Sequence, residues 1–273
     1  MFSATHQLLE QEALVIRSCL CTGLTELRNA NLNNKGRYYT AFFQLAIGIE
    51  RMAKLALILD HMAQNNLRPP GKEDMLAHKH NLETLFSTVK TISQARGHKF
   101  ESSFALSPLA SRMLSFLSEF AKGMRYANLD ALASGNAQRN PLHEWNQVLQ
   151  DTIKTKVQAK TKQRVVGRSV AVAKAMQDVT LVIATDLADK PLSMESALYE
   201  PALIDTAAKH LVWELLSLLA SLRDFIVEAG HAAAQTETAA GRSRSIANVP
   251  NMSEFFDFIY LDRKYVLRKK RWP

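Results

Sequence analysis

Residues 38–59 of the chain read YYTAFFQLAIGIERMAKLALIL, and this stretch decides the fold class. Its apolar residues recur at steps of three and four, which is the spacing of one face of an α-helix. They are Phe42, Leu45, Ala46, Ile49, Met52, Ala53, Ala56 and Leu59. Glu50 and Lys54 stand four residues apart on the polar side, in the favourable order for a helical ion pair. We therefore predict a long amphipathic helix over about Tyr38 to Asn66, which the prolines of RPPGKED then end.

Helical patterns also occupy most of the chain on both sides of this stretch. We expect helices over 5–30, 80–95 and 201–230, a helix that begins at Pro108 with Ser107 as its cap, and another that begins at Pro141 with Asn140 as its cap. One stretch, DVTLVIATD at 178–186, has the β-branched content of a short strand. The sequence predicts an all-α fold, in which an up-and-down helical bundle is followed by a second, mostly helical half.

The loop sequence ASGNAQRN at 133–140 indicates where the chain divides. We place a helical bundle in residues 1–135 and a basic helical region in residues 136–273. Within the second region, the small polar residues near 232–247 predict a mobile segment. The chain closes with RKYVLRKKRWP, for which we expect a basic C-terminal tail.

The chain is basic, and its positive charge is concentrated in two runs. Its 34 Lys and Arg residues exceed its 26 Asp and Glu residues, which gives a formal net charge of +8. The first run contains Lys154, Lys156, Lys160, Lys162, Arg164 and Arg168, and the second contains Arg263, Lys264, Arg268, Lys269, Lys270 and Arg271. Such runs favour RNA, DNA or an acidic protein as partner, and Tyr265 and Trp272 could add base stacking. The alternative is a solvated helix face and a free tail.

Several features argue against a membrane or secreted protein and indicate the cytoplasm. Residues 211–225 are strongly apolar, but three charged side chains interrupt them, which favours a core helix over a membrane span. The first residues have no charged region ahead of an apolar one, so they do not match a secretory signal. Cys19 and Cys21 would point about 200° apart on a helix, so they can neither share a metal nor form a disulfide. We expect reduced thiols.

Three segments of the first region match the ordered motifs of a known superfamily. The segments are 38–59, KHNLETLF at 79–86 and SRMLSFLSEFAKGMRYANLDAL at 111–132. They carry Ala41, Phe43, Ala46, Glu50 and Lys54, then His80, Leu82 and Leu85, and finally the pair Arg125 and Tyr126. In this order and spacing the chain, over about residues 5–135, resembles the HEPN superfamily (higher eukaryotes and prokaryotes nucleotide-binding).

The resemblance implies a bundle of four or five helices, which in this superfamily often dimerises along one face. It also implies binding roles for Glu50, Lys54, His80, Arg125 and Tyr126. Arg125 would lie beside a loop, where its guanidinium can bind a carboxylate or a phosphate. The alternative for Arg125 is a buried ion pair with Glu50.

Catalytic members of the superfamily cleave RNA without a metal, using an Arg and a His that follows it at short spacing. The closest match here is RNPLH, with Arg139 and His143 as candidates. His can transfer a proton near neutral pH, and Arg can stabilise the charge on a phosphate. The match departs from the motif because Pro141 begins a helix and leaves Arg139 outside the helix that carries His143. No motif indicates a cofactor or a metal site.

The leading hypothesis from the sequence is a HEPN-like protein of a prokaryotic toxin–antitoxin or antiphage defence system. It would bind RNA or a partner protein, and we expect it to act as a homodimer or as a subunit of a larger complex. Two alternatives stay open. The first is a metal-independent ribonuclease that uses Arg139 and His143, and the second is a structural adaptor that binds no nucleic acid.

Overall fold

The computed structural model describes residues 2–73, 79–97, 104–135, 139–176, 180–239, 247–260 and 262–273. Its α-helices are α1 (Ala4–Asn29), α2 (Gly36–Gln64), α3 (Leu82–Ala95), α4 (Pro108–Lys122), α5 (Ala127–Ser134), α6 (Pro141–Lys156), α7 (Ala159–Met176), α8 (Met194–Ala239) and α9 (Arg263–Val266). Short 3-10 helices occupy Met124–Tyr126, Met252–Glu254 and Asp257–Tyr260. The described residues contain isolated β-bridges but no strand, which confirms the all-α prediction.

Local capping chemistry sets the beginnings of several helices. Ser107 and Asn140 each accept a backbone hydrogen bond from the first turn, and Pro108 and Pro141 occupy the first helical positions, as predicted. Asn81 caps α3 in the same way, so that helix begins two residues later than expected. These caps supply acceptors for backbone N–H groups that have no partner within the helix itself.

Two glycines allow α1 and α2 to pack closely against each other. A Cβ atom at Gly23 would lie 2.7 Å from Leu45 Cγ, and one at Gly48 would lie 2.6 Å from Leu20 Cδ2. Real Cβ atoms do not approach other atoms so closely, and well-packed cores tolerate added volume poorly. A larger residue at either glycine would therefore force the two helices apart.

The 46-residue helix α8 packs against α1, α2, α4, α6 and α7. We predicted a helix over 201–230, and the observed helix extends beyond both ends. Pro201 lies inside α8, although it cannot donate the hydrogen bond that a helical residue makes to the carbonyl four positions earlier. Among the described helices, none combines the length and the apolarity that spanning a membrane requires.

The first half of the segment near 232–247, for which we expected mobility, is helical. Residues 232–239 continue α8, and Thr236 Oγ1 donates a hydrogen bond to the Ala63 carbonyl at 3.0 Å. Alanine has the highest helix propensity, so a small, polar sequence that is rich in alanine continues a helix when a neighbour supports it. Residues 240–246 of the expected segment lie outside the described residues.

Side chains from both sides of residue 135 contribute to one hydrophobic core. Phe42 of α2 lies in an aromatic group, with ring centroids 4.7 Å from Phe116 and 5.1 Å from Trp145. The same cluster of buried side chains extends to Trp272 near the C-terminus. The division into 1–135 and 136–273 therefore describes the order of the chain, and the two parts share a core.

The short strand considered at 178–186 is not present in the described part of that stretch. Residues 180–184 have no regular secondary structure, and the pairing beside them is the isolated bridge between Thr185 and Pro191. Leu181 and Ile183 are 82% and 90% exposed. A strand needs a neighbouring strand for its hydrogen bonds, and β-branched composition alone cannot provide one. Residues 177–179 lie outside the described residues.

Candidate nucleic-acid interface

Helix α7 presents a positively charged face to solvent. Lys160, Arg164 and Arg168 follow one another at steps of four, so they lie on the same side of the helix, and all three are exposed. The opposite side is buried at Ser169 and Ala173, where α7 packs against α8. Helix α7 contains no acidic residue, and none of these three cations forms an ion pair within the described residues. The face therefore carries positive charge that other side chains do not neutralise.

Two other cations of the first basic run have structural contacts. Lys156 Nζ lies 3.0 Å from Glu214 Oε1 on α8. Lys162 Nζ donates hydrogen bonds to the carbonyls of Ile153 and Lys154 at 3.1 Å, which satisfies acceptors at the end of α6. The Lys154 side chain is exposed on the last turn of α6. The run thus divides into residues that stabilise the α6–α7 connection and residues that face solvent.

The basic C-terminal residues form a segment that is attached to the bundle, so the free tail considered as the alternative is not observed in the described part. Val266 and Trp272 are buried in the shared core. Trp272 N donates a hydrogen bond to Thr25 Oγ1 at 2.9 Å, and Asn29 Nδ2 donates one to the Lys270 carbonyl at 2.7 Å. The chain is held here because burying one indole and pairing its backbone offset the loss of conformational freedom.

Several charged side chains of this C-terminal segment already have partners. Lys269 Nζ lies 5.2 Å from the centroid of the Tyr265 ring and 5.8 Å from that of Trp272. Lys270 Nζ is 3.8 Å from Asp205, which also pairs at 2.7 Å with Arg28. Arg268 and Arg271 are exposed and form no ion pair within the described residues. Because Trp272 is only 7% exposed, the stacking role considered for it is not available, whereas Tyr265 is 54% exposed.

The two basic runs meet beside one face of α8. His210 and Glu214 are four residues apart on this helix, with Trp213 between them. Lys156 from the first run contacts Glu214, and the Arg263 guanidinium from the second run lies over the Trp213 ring, 5.7 Å from its centroid. The convergence brings an aromatic ring and a carboxylate of α8 together with two cations that are more than a hundred residues apart in sequence.

The charged side chains at this junction of the two basic runs change the pKa of His210. Burial lowers the pKa of His210 from its ordinary value of 6.5, and the nearby cations Lys209, Arg263 and Lys156 lower it further. Glu214 acts in the opposite direction. The surroundings of His210 therefore disfavour an additional positive charge and would favour an anion.

The sequence reasoning missed His210, Trp213 and Glu214. Of the three, only Glu214 enters the sequence analysis, as one of the charged residues that interrupt the apolar stretch 211–225 and argue against a membrane span. The available signal was their spacing, because positions i, i+3 and i+4 share one face of a helix. Their neighbours from α6 and α9 could not be identified without the tertiary structure.

Part of the site implied by the HEPN resemblance comes together. Glu50 Oε1 accepts a hydrogen bond from Lys54 Nζ at 2.6 Å, and Glu50 Oε2 lies 3.0 Å from His80 Nδ1. The Glu50 side chain is only 15% exposed, and its carboxylate contacts the polar groups of both Lys54 and His80. The three residues form a polar cluster between α2 and the turn that precedes α3.

Arg125 and Tyr126 lie apart from that cluster. The Arg125 guanidinium is over the Tyr126 ring, 4.9 Å from its centroid. Two residues later Asn128 donates a hydrogen bond to Tyr39 Oη, at the beginning of α2. Glu50 lies eleven residues further along the same helix, which corresponds to about 16 Å. No ion pair joins Arg125 to Glu50 within the described part of the chain, so that alternative is not observed.

The two candidate catalytic residues, Arg139 and His143, contact different carboxylates. Arg139 Nε donates a hydrogen bond to Glu144 Oε1 at 3.2 Å, and this bond raises the pKa of Arg139. His143 Nε2 lies 2.8 Å from Asp189 Oδ2. Arg139 precedes α6 while His143 lies on its first turn, as expected from Pro141. The arrangement does not direct the two side chains at a common point.

Other residue types give no metal site in the described part of the chain. No group of three or more His, Cys, Asp or Glu side chains there could hold a metal ion. Cys19 and Cys21 are free thiols, and burial raises the pKa of Cys21 to about 12. Comparisons of the chain with protein families, with curated proteins and with solved structures found no match. The HEPN resemblance therefore stays a prediction.

Proposed function

We propose that this protein binds single-stranded RNA through the basic surface of α7 and the basic C-terminal segment. In this proposal it acts as a HEPN-like component of a prokaryotic toxin–antitoxin or antiphage system. The observation that carries the proposal is the exposed face of Lys160, Arg164 and Arg168, which has no acidic side chain on its helix and no ion pair in the described residues. Such a face gains affinity for phosphates through the release of condensed counterions.

Aromatic side chains favour single strands over duplexes as the ligand. Trp213 and the exposed Tyr265 both lie beside cations, at Arg263 and Lys269 respectively. Proteins that bind single strands combine a charged groove with aromatic rings on which unpaired bases stack. The bases of a duplex are already stacked on one another, so they cannot use these rings.

A salt-titrated binding assay with labelled single-stranded RNA tests this proposal. The decisive variant reverses three charges, Lys160→Glu, Arg164→Glu and Arg168→Glu. Its matched control reverses three exposed charges on another part of the surface: Arg68→Glu, Lys72→Glu and Lys79→Glu. Both variants have the same net charge, so a difference between them reports the location of the charge.

We expect the α7 variant to bind RNA about tenfold or more weakly at roughly 100 mM salt, with a salt slope reduced by about 2. The control variant should retain most of the affinity. An equal loss of RNA affinity in both variants would mean that only the net charge of the protein matters, and it would contradict a specific binding surface on α7. Affinity that does not change with salt would contradict phosphate recognition altogether.

The conflict-system part of the proposal is supported by the polar cluster of Glu50, Lys54 and His80, which the resemblance places in one site. It is tested by the genes beside the one that encodes this chain. A neighbouring gene for a small nucleotidyltransferase or a nuclease would identify the partner. Neighbours limited to housekeeping metabolism would argue against it.

Exposed apolar side chains favour a protein partner as well. Leu129 and Leu132 of α5 are 65% and 83% exposed, and Tyr126 beside them is 49% exposed. Apolar groups gathered on a short helix indicate a surface that another protein covers, and the simplest candidate is a second copy of this chain. Light scattering of the Leu129→Asp, Leu132→Asp double variant tests this idea, since a dimer that used α5 would dissociate.

The ribonuclease alternative has a direct test, although the separate carboxylate partners of Arg139 and His143 do not support it. Purified protein is incubated with total RNA in EDTA beside a His143→Ala control. Cleavage that disappears in the variant would revive the catalytic hypothesis. Intact RNA in both samples would eliminate it.

A further inference from the structure

A cavity of about 410 Å³ lies between the beginning of α4, the middle of α8 and Ile259. Its walls are mainly apolar, and its polar side chains are Ser107, Glu214 and Ser217. Trp213 also contributes to the lining. This combination of an apolar wall with a few convergent polar groups is typical of pockets that bind small molecules or parts of larger ones.

Glu214 is the charged group of this cavity, and it is only 8% exposed. Its Oε2 accepts a hydrogen bond from Ser107 Oγ, and its Oε1 lies 3.0 Å from Lys156 Nζ. Each carboxylate oxygen has two acceptor positions, so one bond at each oxygen leaves capacity for a further donor. Because water stabilises this buried carboxylate poorly, a ligand N–H group that reaches it would be favoured.

The surroundings of the cavity carry the opposite charge. Lys156 and Arg263 lie beside Glu214 and Trp213 respectively, and both cations lower the pKa of His210 one turn earlier on α8. A ligand that suits the whole site has a planar, apolar body, an N–H donor and an attached anion. A nucleotide has these three properties in one molecule.

We propose that this cavity binds a nucleobase that carries an exocyclic amino group, with its phosphate beside Lys156 and Arg263. Glu214 accepts the hydrogen bond of the amino group, and the indole of Trp213 contacts the plane of the base. The proposal deepens the proposed RNA binding and rests on it for the source of the nucleotide. It assigns selectivity for the base to α8 and the phosphate of that nucleotide to Lys156 of α6 and Arg263 of α9, while the α7 surface binds the rest of the RNA backbone without selectivity for sequence.

Fluorescence of Trp213 provides a test with mononucleotides alone. The protein has three tryptophans, and the other two, Trp145 and Trp272, are 1% and 7% exposed. Adenosine monophosphate should quench the emission saturably, and Trp213→Phe should abolish the change. Purine riboside 5′-monophosphate, which lacks only the amino group, should bind about fivefold or more weakly because it cannot donate to Glu214. Ribose 5-phosphate should produce no quenching.

Blocking the cavity provides the second arm of the experiment. Ser217 lines the cavity and is exposed, so Ser217→Phe narrows it without replacing a core residue. Thr238→Phe is the matched control, because Thr238 is also exposed on α8, and its hydroxyl, like that of Ser217, bonds to a carbonyl of its own helix. Circular dichroism of both variants checks that the total helix content is the same as in the wild type. We expect Ser217→Phe to lose at least tenfold in affinity for adenosine monophosphate and the control to lose none.

The outcomes separate this inference from the proposed function. Salt-dependent RNA binding without quenching by adenosine monophosphate would overturn the base pocket and leave the α7 surface in place. Binding of adenosine monophosphate by a protein that does not bind RNA would support the pocket and contradict the proposed function. Equal binding of the amino and amino-free nucleotides would overturn the role of Glu214.

Discussion

The two basic runs of this chain have similar composition and different surroundings. On α7, Lys160, Arg164 and Arg168 are exposed and form no ion pair within the described residues. In the C-terminal segment, Lys269 lies near two aromatic rings and Lys270 near Asp205. The difference shows that the number of charges does not define a binding surface. A cation that already has a partner gains less from a phosphate, because one interaction replaces another.

The largest effect should come from breaking the attachment of the C-terminal segment. Trp272→Ala removes a 7% exposed indole from the shared core, and we expect the free energy of unfolding to fall by about 3 kcal/mol. Urea denaturation measures this change. Tyr265→Ala is the matched control, since Tyr265 is 54% exposed and its loss should cost about 0.5 kcal/mol or less. Similar stability of the Trp272 variant and the wild type would mean that the segment is not part of the core.

A smaller effect should separate the two runs in RNA binding. Two double variants have the same change in charge. One is Arg164→Glu with Arg168→Glu on α7, where neither residue has an ion pair within the described residues, and the other is Lys269→Glu with Lys270→Glu in the C-terminal segment, where both residues already have partners. We expect about a tenfold loss of RNA affinity for the α7 pair, which corresponds to about 1.4 kcal/mol, and about a threefold loss for the C-terminal pair. Fluorescence anisotropy at fixed salt measures both. A larger loss for the C-terminal pair would reverse the comparison.

The smallest effect should appear at the junction of the two runs. Because the pKa of His210 in the folded protein lies below its ordinary value of 6.5, the unfolded state binds a proton more readily. This contribution to stability is present above pH 6.5 and is lost as the pH falls through the folded-state pKa of His210. His210→Gln should therefore reduce the decrease in urea midpoint between pH 7.5 and pH 5 by a small amount. His231→Gln, at an exposed position of α8, is the control for the loss of a histidine from this helix.

The affinity for RNA should also depend on the protonation of His210, but here a lower pH should be favourable. A bound phosphate would offset the charges of Lys156, Lys209 and Arg263 and thereby raise the pKa of His210. Affinity should then increase as the pH falls through that range, and His210→Gln should reduce the increase. A pH dependence that is unchanged in the variant would place the phosphate elsewhere on the surface.

Most helices could be predicted from the sequence because their signals are local. The stripe from Phe42 to Leu59 predicted α2, and the pairs Ser107–Pro108 and Asn140–Pro141 predicted the beginnings of α4 and α6. The contact between Glu50 and Lys54 also follows from local spacing. The strand considered at 178–186 is not observed in the described part of that stretch, because a strand depends on a neighbouring strand that composition does not reveal.

The candidate interface was predictable only in part. The positive charge of α7 follows directly from its sequence, and the spacing of four residues places Lys160, Arg164 and Arg168 on one face of the helix. The role of Lys162 at the end of α6 and the pairing of Lys156 with Glu214 are contacts between different elements. They divide one run of cations into structural and exposed members, and no local pattern distinguishes the two.

The sequence by itself determined the helical class of this protein, the helix caps at Ser107 and Asn140 and the basic character of the second region. These properties depend on neighbours within a few residues, where spacing and propensity act directly. The tertiary structure decided that both regions share one core, that the C-terminal residues are attached to α1, and that Trp213 and Glu214 meet cations from α6 and α9. Such contacts join residues far apart in the chain, and burial of apolar surface, which has no direction along the sequence, brings them together.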